Sequence, residues 1–84
     1  MNMNRDQLKS TALDVLRGIA PEVEPNTLEP AIPLRHQVDL DSMDWLNFLI
    51  GLHERLGVNI PESENANLVT LDNVLDFLQA HGQD

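Results

Sequence analysis

The sequence contains no cysteine and no tyrosine, and its aromatic residues are one tryptophan and two phenylalanines. Without cysteine, neither a disulfide nor a thiolate-bound metal can stabilise the fold, and any thiol chemistry must come from an attached group. No apolar run approaches the length needed to span a bilayer, which predicts no membrane insertion. The N-terminal residues also lack the continuous apolar segment of a secretory signal, so we expect a cytoplasmic protein.

Basic residues are scarce. The chain has 5 lysines and arginines against 14 aspartates and glutamates, a formal net charge of −9 over 84 residues. This charge argues against nucleic acid or anionic lipid as partners and favours proteins with basic patches, bound in a salt-sensitive way. Simple solubility is the alternative reason for the acidity. The length predicts a single small domain over residues 1–84, with a modest core, and we expect a monomer.

Apolar residues recur with helical spacing over residues 4–18, which predicts an amphipathic first helix that ends near Gly18 and Pro21. Four prolines follow between Ala20 and Asp41, so this long loop is expected to lack regular helix and to hold at most one turn, at residues 26–29. Four apolar side chains could fasten the loop to the core: Leu28, Ile32, Leu34 and Val38.

Three more helical segments follow the loop. The first should run from Ser42 to about Leu56, with Gly57 as its C-cap, and a short one should lie within residues 62–68. Thr70 should cap the last, which runs to about residue 81 and carries one apolar face of Leu71, Val74, Leu75 and Leu78. No useful alternation with a period of two occurs. The pattern predicts an all-α fold, a small four-helix bundle of three main helices plus a short third helix, with a long first loop.

The helix predicted over residues 42–56 has more apolar surface than one core contact requires. At about 100° per residue its apolar positions cover roughly 220° of arc, against a stripe of about 100° for an ordinary surface helix. One apolar group contains Trp45, Phe48, Leu49, Leu52 and Leu56, and the other contains Met43, Leu46 and Ile50. The first group should face the core. Either the second is an exposed ridge for a partner, or the helix is buried on most sides.

The sequence predicts no catalytic and no metal site. A calcium loop starting at Asp39 would need glycine and glutamate where Asp44 and Ile50 stand. Ser42 has neither glycine of a G-x-S-x-G elbow. The three histidines are scattered and lack metal-ligand spacing.

Ser42 is better placed to be modified than to act as a nucleophile. A phosphodiester on its side chain would lie at a helix N-terminus, where backbone N–H groups and the helix dipole favour negative charge. The nearby acids Asp41 and Asp44 oppose that charge, although they could attract a basic modifying enzyme. The alternative is structural, because serine is an ordinary residue with which to begin a helix.

Asp41-Ser42-Met43 opens a leucine- and isoleucine-rich helix, and the segment Leu56-Gly57-Val58-Asn59-Ile60-Pro61-Glu62 follows that helix. In these features the chain resembles the acyl carrier proteins, in which an Asp-Ser-Leu-like motif opens the second helix and a hydrophobic-G-x-x-I-P segment follows it. The resemblance covers nearly the whole chain, including its length, its long first loop and the helix start at Thr70-Leu71.

The resemblance implies that Ser42 receives 4′-phosphopantetheine from coenzyme A through a magnesium-dependent phosphopantetheinyl transferase. The terminal thiol would then carry acyl groups as thioesters between enzymes of fatty acid, specialised lipid or polyketide biosynthesis, and the chain itself would not be an enzyme. Acyl-loading and acyl-accepting enzymes would dock through basic patches. The resemblance implies six partner-binding residues for them: Asp41, Met43, Asp44, Asn47, Ile50 and Glu54.

Several residues depart from the family pattern. Met43 replaces the usual leucine, and Asn47 and His53 stand where acids are common. Trp45 is bulkier than the small residue usual there, and we expect it at the edge of the core near an acyl pocket. These departures make a specialised carrier at least as well supported as the carrier of fatty acid synthesis. Two alternatives stay open: an unmodified acidic interaction module with this fold, and a peptidyl or aminoacyl carrier.

Overall fold

The structure is a computed structural model and describes residues 4–81. The all-α fold predicted from the sequence is confirmed, and no strand occurs within these residues apart from one isolated bridge between Pro33 and Thr70. No helix in the described range is long and apolar enough to cross a bilayer. The helices are α1 (Arg5–Ile19), α2 (Leu34–Gln37), α3 (Ser42–Leu56) and α4 (Leu71–His81), with 3₁₀ turns at Pro25–Thr27 and Glu62–Asn67.

The helix ends are set by local side chains. Asn4 caps α1 by accepting the Gln7 backbone N–H at 2.8 Å, and the Gln7 side chain accepts the Asn4 N–H at 2.9 Å. The predicted cap of α4 is confirmed, since Thr70 Oγ1 accepts the Asn73 N–H at 3.0 Å. Gly57 ends α3 with a positive φ of 68°, a conformation that glycine adopts without the penalty of a Cβ.

The core forms where the apolar faces of α1, α3 and α4 meet. The face predicted for α4 is fully buried, and the core group of α3 is buried except for Leu56, which is half-buried. Burial of these faces supplies most of the stability of such short helices. The buried side chains of the three helices are Leu8, Ala12 and Leu16 of α1, Trp45, Phe48, Leu49 and Leu52 of α3, and Leu71, Val74, Leu75 and Leu78 of α4.

The long first loop is more regular than the sequence suggests. The expectation of no regular helix between Ala20 and Asp41 is wrong at α2, which begins directly after Pro33. A proline is tolerated at a helix start because no intrahelical partner is needed for its missing N–H. The fully buried Leu34 anchors this turn in the core. The other turn begins at Pro25 and covers Pro25–Thr27 rather than residues 26–29.

Hydrogen bonds hold this loop in addition to its apolar contacts. Gln37 Nε2 donates to the carbonyl oxygens of Glu29 and Ile32, both at 2.9 Å, and Gln37 Oε1 accepts the Glu29 N–H at 2.7 Å. The Leu34 N–H donates to Val69 O at 3.0 Å and ties α2 to the segment before α4. The expected apolar contact of Ile32 is wrong, since its side chain is 44% exposed, whereas Leu34 and Val38 are buried and Leu28 is half-buried.

Arg5 fastens the start of α1 to α4. Its guanidinium donates to Asp76 at 2.9 Å, to Gln79 at 2.7 Å and to Asp72 at 3.1 Å. The pKa of Arg5 is raised, mainly by the hydrogen bond to Asp76. Desolvation lowers this pKa, and the hydrogen bond to Asp72 raises it further. Because these side chains are well exposed, the cluster orients the two helices more than it stabilises the fold.

Gly51 allows α3 to approach α1 closely. A Cβ built on Gly51 would lie 2.5 Å from Val15 Cγ1, and valine has little χ1 freedom in a helix. We therefore expect Gly51→Ala to lower the free energy of unfolding by about 1–3 kcal/mol, as overpacking does. Urea unfolding followed by circular dichroism measures this change.

Gly18 provides the matched control, because it lies within α1 and nothing lies within 4 Å of its Cβ position. Gly18→Ala should raise the free energy of unfolding by about 0.5–1 kcal/mol through helix propensity alone. In a Val15→Ala background, Gly51→Ala should no longer destabilise. If both glycine substitutions stabilise the wild-type chain equally, α1 and α3 do not approach as closely as the structure shows.

Candidate functional site

Two aspartates determine where α3 begins. Asp41 is the N-cap, and its Oδ1 accepts the Asp44 backbone N–H at 2.8 Å. Asp44 Oδ2 accepts the Asp41 N–H at 3.4 Å, which completes a reciprocal capping box. The first intrahelical bond runs from the Trp45 N–H to Asp41 O at 3.0 Å. Ser42 is therefore the first residue of the helix.

This start leaves Ser42 accessible. Its side chain is exposed. A modifying enzyme can therefore reach the hydroxyl, which a buried side chain would not allow. Of the four N–H groups at the beginning of α3, those of Asp41 and Asp44 bind the capping carboxylates. The N–H groups of Ser42 and Met43 remain as donors toward an anion at the helix N-terminus.

Ser42 lies where two grooves meet. The first, which we call the loop groove, has a volume of about 980 Å³ and lies between residues 33–40, the start of α3 and residues 62–69. The second, the helix groove, has a volume of about 530 Å³ and is lined by apolar side chains such as Leu46, Ile50 and Ile60. Glu62 and Asn65 line both grooves together with Ser42. A group attached to Ser42 can therefore enter either groove.

Trp45 forms part of the wall between the core and the loop groove. It is 5% exposed, stands 5.3 Å from Phe48 between ring centroids, and donates its indole N–H to Asn65 Oδ1 at 2.7 Å. This position at the edge of the core agrees with the sequence prediction. The hydrogen bond holds the 3₁₀ turn Glu62–Asn67 against α3 and satisfies the polar atom that a buried indole carries.

The second apolar group of α3 is exposed. Met43, Leu46 and Ile50 are 65%, 47% and 45% exposed, so the alternative of a helix buried on most sides is wrong. Their spacing of three and four residues places them along one face of α3. We call these three side chains the apolar ridge. Exposed apolar side chains in such a row are typical of a surface that binds another protein.

Met43 and Ile50 of the predicted partner-binding residues belong to the apolar ridge, and the structure separates the other four into two sets. Asp41 and Asp44 lie beside Ser42, with Asp41 exposed and Asp44 half-buried in the capping box. Asn47 and Glu54 are exposed farther along α3. Glu54 follows Ser42 by 12 residues of helix, which corresponds to about 18 Å of rise. A partner that contacts the whole set must therefore cover most of the length of α3.

Sequence reasoning missed three residues that line the loop groove: Arg35, His36 and Asn65. Arg35 Nε donates to Leu40 O at 3.2 Å, two residues before Ser42. A cation within seven residues of Ser42 in a chain with 14 acids was the available signal for Arg35. Although His36 and Ser42 line the same groove, no hydrogen bond joins their side chains within residues 4–81, so they do not form a nucleophile–base pair there.

Comparison with known proteins assigns the family. No family model matches the sequence. However, an acyl carrier protein of Thermosynechococcus vestitus is 30% identical over 73 residues, which cover 83% of this chain and 90% of that relative. The chain belongs to the acyl carrier protein family. The resemblance seen in its motifs is confirmed, and an acyl carrier function follows from membership.

Other acyl carrier proteins match at lower identity. One from Myxococcus xanthus is 27% identical over 71 residues, covering 77% of this chain and 90% of the relative. Acyl carrier protein 2 of Arabidopsis thaliana mitochondria is 25% identical over 81 residues, covering 96% of this chain. The chain spans 64% of the length of that mitochondrial relative.

The capping role of Asp41 can be separated from its charge. Asp41→Ala removes the acceptor for the Asp44 N–H and should lower the free energy of unfolding by about 1 kcal/mol. Asp41→Asn keeps a side-chain carbonyl oxygen and should stay close to the wild type. Urea unfolding measures both. Asp39→Ala is the control, since Asp39 is exposed and does not cap α3; a loss as large at Asp39 as at Asp41 would contradict the capping role.

Proposed function

We propose that Ser42 is the attachment site of 4′-phosphopantetheine, transferred from coenzyme A by a phosphopantetheinyl transferase. The observation that carries this proposal is the exposed Ser42 hydroxyl at the first residue of α3, within Asp41-Ser42-Met43, where two grooves meet. Family membership supports it independently. When attached, the group supplies a thiol that carries acyl groups as thioesters, and this chain has no cysteine of its own to compete with it.

The residues of the chain suit this attachment. Ser42 Oγ forms the new bond to the pantetheine-bearing phosphorus of coenzyme A, the P–O bond of the pyrophosphate breaks, adenosine 3′,5′-bisphosphate leaves, and a base of the transferase takes the hydroxyl proton. The N–H groups of Ser42 and Met43 and the helix dipole stabilise the phosphate charge. The chain positions the group and the transferase performs the chemistry, so we propose that the protein is not itself an enzyme.

Partner enzymes are proposed to bind along α3. The apolar ridge offers contact area, while Asp41, Asp44 and Glu54 offer negative charge to basic patches. Asn47 and the exposed His53 reduce the acidity of the middle of the helix. The ridge therefore contributes a large share of the docking energy, and the acids mainly guide the encounter. These partners are the transferase and the enzymes that load and accept the acyl group, of fatty acid, specialised lipid or polyketide biosynthesis.

Loading tests the attachment site directly. Wild-type protein treated with coenzyme A, Mg²⁺ and a transferase of broad specificity should gain the mass of one phosphopantetheine group. Ser42→Ala should gain none, because the accepting hydroxyl is absent. Intact-mass spectrometry gives the answer, and circular dichroism verifies the fold of both proteins.

Ser63→Ala is the matched control, since Ser63 is an exposed serine in the turn Glu62–Asn67. It should be loaded as fully as the wild type. Loading of Ser42→Ala would assign the group to another residue. A wild-type protein that no such transferase modifies would contradict the carrier proposal and favour the unmodified interaction module.

Docking through the apolar ridge predicts a defect for Ile50→Ala. Removing an interfacial apolar anchor costs about 1–2 kcal/mol, so the kcat/KM of the transferase for this variant should fall on the order of tenfold. Steady-state loading rates at several protein concentrations measure the change. Because Ile50 is 45% exposed, the stability of the protein should change little.

Ile32→Ala is the control for the loss of exposed apolar surface. Ile32 is 44% exposed but lies in the first loop, outside α3 and outside the helix groove. Its kcat/KM should equal that of the wild type. An equal loss of kcat/KM in both variants, or no loss in Ile50→Ala, would show that the apolar ridge is not part of the docking surface.

A further inference from the structure

Arg35 is held close to the proposed attachment site. Its Nε–H donates to Leu40 O at 3.2 Å, and Leu40 precedes Ser42 by two residues. Two residues of chain span at most about 7 Å, so the guanidinium lies near the N-terminus of α3. A phosphate on Ser42 would extend from the same point. The side chain of Arg35 therefore lies within reach of such a phosphate.

The guanidinium of Arg35 has unused donors. Within residues 4–81, Arg5 pairs with Asp72 and Asp76, and Arg55 lies 3.8 Å from Asp14, whereas Arg35 has no acidic side chain within ion-pair distance. The carboxylates nearest to Ser42 along the chain instead bind backbone N–H groups in the capping box. A guanidinium matches a phosphate with two parallel hydrogen bonds, which makes an anion at this point its natural partner.

The loop groove continues from Arg35 with groups that suit an amide-containing chain. Trp45, Leu40 and Leu68 supply apolar surface. Asn65 Oδ1 accepts the Trp45 indole N–H, so Asn65 Nδ2 stays available to donate to a carbonyl oxygen, having no acceptor within the described residues. By contrast, the helix groove contains no arginine or lysine. An anionic, amide-rich arm therefore finds complementary charge and donors in the loop groove.

We propose that the loop groove is the resting site of the prosthetic arm, with Arg35 binding its phosphodiester and Asn65 and Trp45 contacting its pantetheine portion. This inference rests on the proposed attachment at Ser42. Glu62 lines both grooves and does not distinguish them, whereas Arg35 lines the loop groove alone, so the difference in charge between the grooves favours the loop groove. The exposed apolar ridge then stays free for partner enzymes while the arm is at rest.

Nuclear magnetic resonance of ¹⁵N-labelled protein before and after loading tests the site. Intact mass first verifies that the arm is attached, so failure to load counts against the proposed function and is distinguished from failure of this inference. Loading should shift the Arg35 Nε–H, the Trp45 indole N–H and the Asn65 side-chain amide signals. In loaded Arg35→Gln, the last two shifts should shrink as the ratio of docked to undocked arm falls about tenfold, the effect of losing a hydrogen bond to a charged group.

A nitroxide maleimide on the arm gives the location independently, since the chain itself has no thiol. In the wild type the label should broaden the amides of Ala66 and Val69 more than those of Ile50 and Ile60. Arg17→Gln, an exposed arginine of α1, should keep this preference, and Arg35→Gln should lose it. Stronger broadening along the helix groove, equal broadening everywhere, or a preference unaffected by Arg35→Gln would overturn the proposal.

Discussion

The site depends on where α3 begins. Four hydrogen-bonding atoms of Asp41 and Asp44 close a reciprocal box across the first turn, and Ser42 follows from it as the first helical residue. A start one residue later would move Ser42 out of the helix and rotate the remaining face by about 100° relative to the helix end. The same two carboxylates bind the N–H groups of Asp41 and Asp44. The N–H groups of Ser42 and Met43 are therefore the ones left to bind an anion on Ser42. Helix capping and exposure of the hydroxyl are thus one structural arrangement.

The two apolar faces of α3 differ in their surroundings, since one is buried in the core and the other is exposed. Burial of Trp45, Phe48 and Leu52 fixes the helix in the core, and it is this rigid attachment that holds the apolar ridge outward. Exposed apolar rows favour association of identical chains as well as binding of partners. The net charge of −9 opposes such self-association through mutual repulsion. Acidity in this protein therefore opposes self-association through the exposed apolar ridge, apart from its part in the proposed docking.

The main helices were predictable because each carries a repeated signal. For α3, apolar periodicity, the acids at its start and Gly57 at its end agree, and the structure has the predicted bounds. The α2 turn carries no such repetition, since four residues are too few to show a period. It forms because Leu34 is buried and its N–H bonds to Val69, a contact between residues far apart in sequence. The contact of Arg35 with Leu40 depends on this turn, so the position of this cation could not be predicted, although its charge is visible in the sequence.

One contact described above also makes the protein observable. Trp45 is the single tryptophan, it is hydrogen-bonded to Asn65, and Asn65 lines both grooves. Any molecule that displaces the Glu62–Asn67 turn must change the polarity around one indole ring. The intrinsic emission of this protein consequently reports events at the junction of the grooves with no competing chromophore, so the native chain carries its own optical probe.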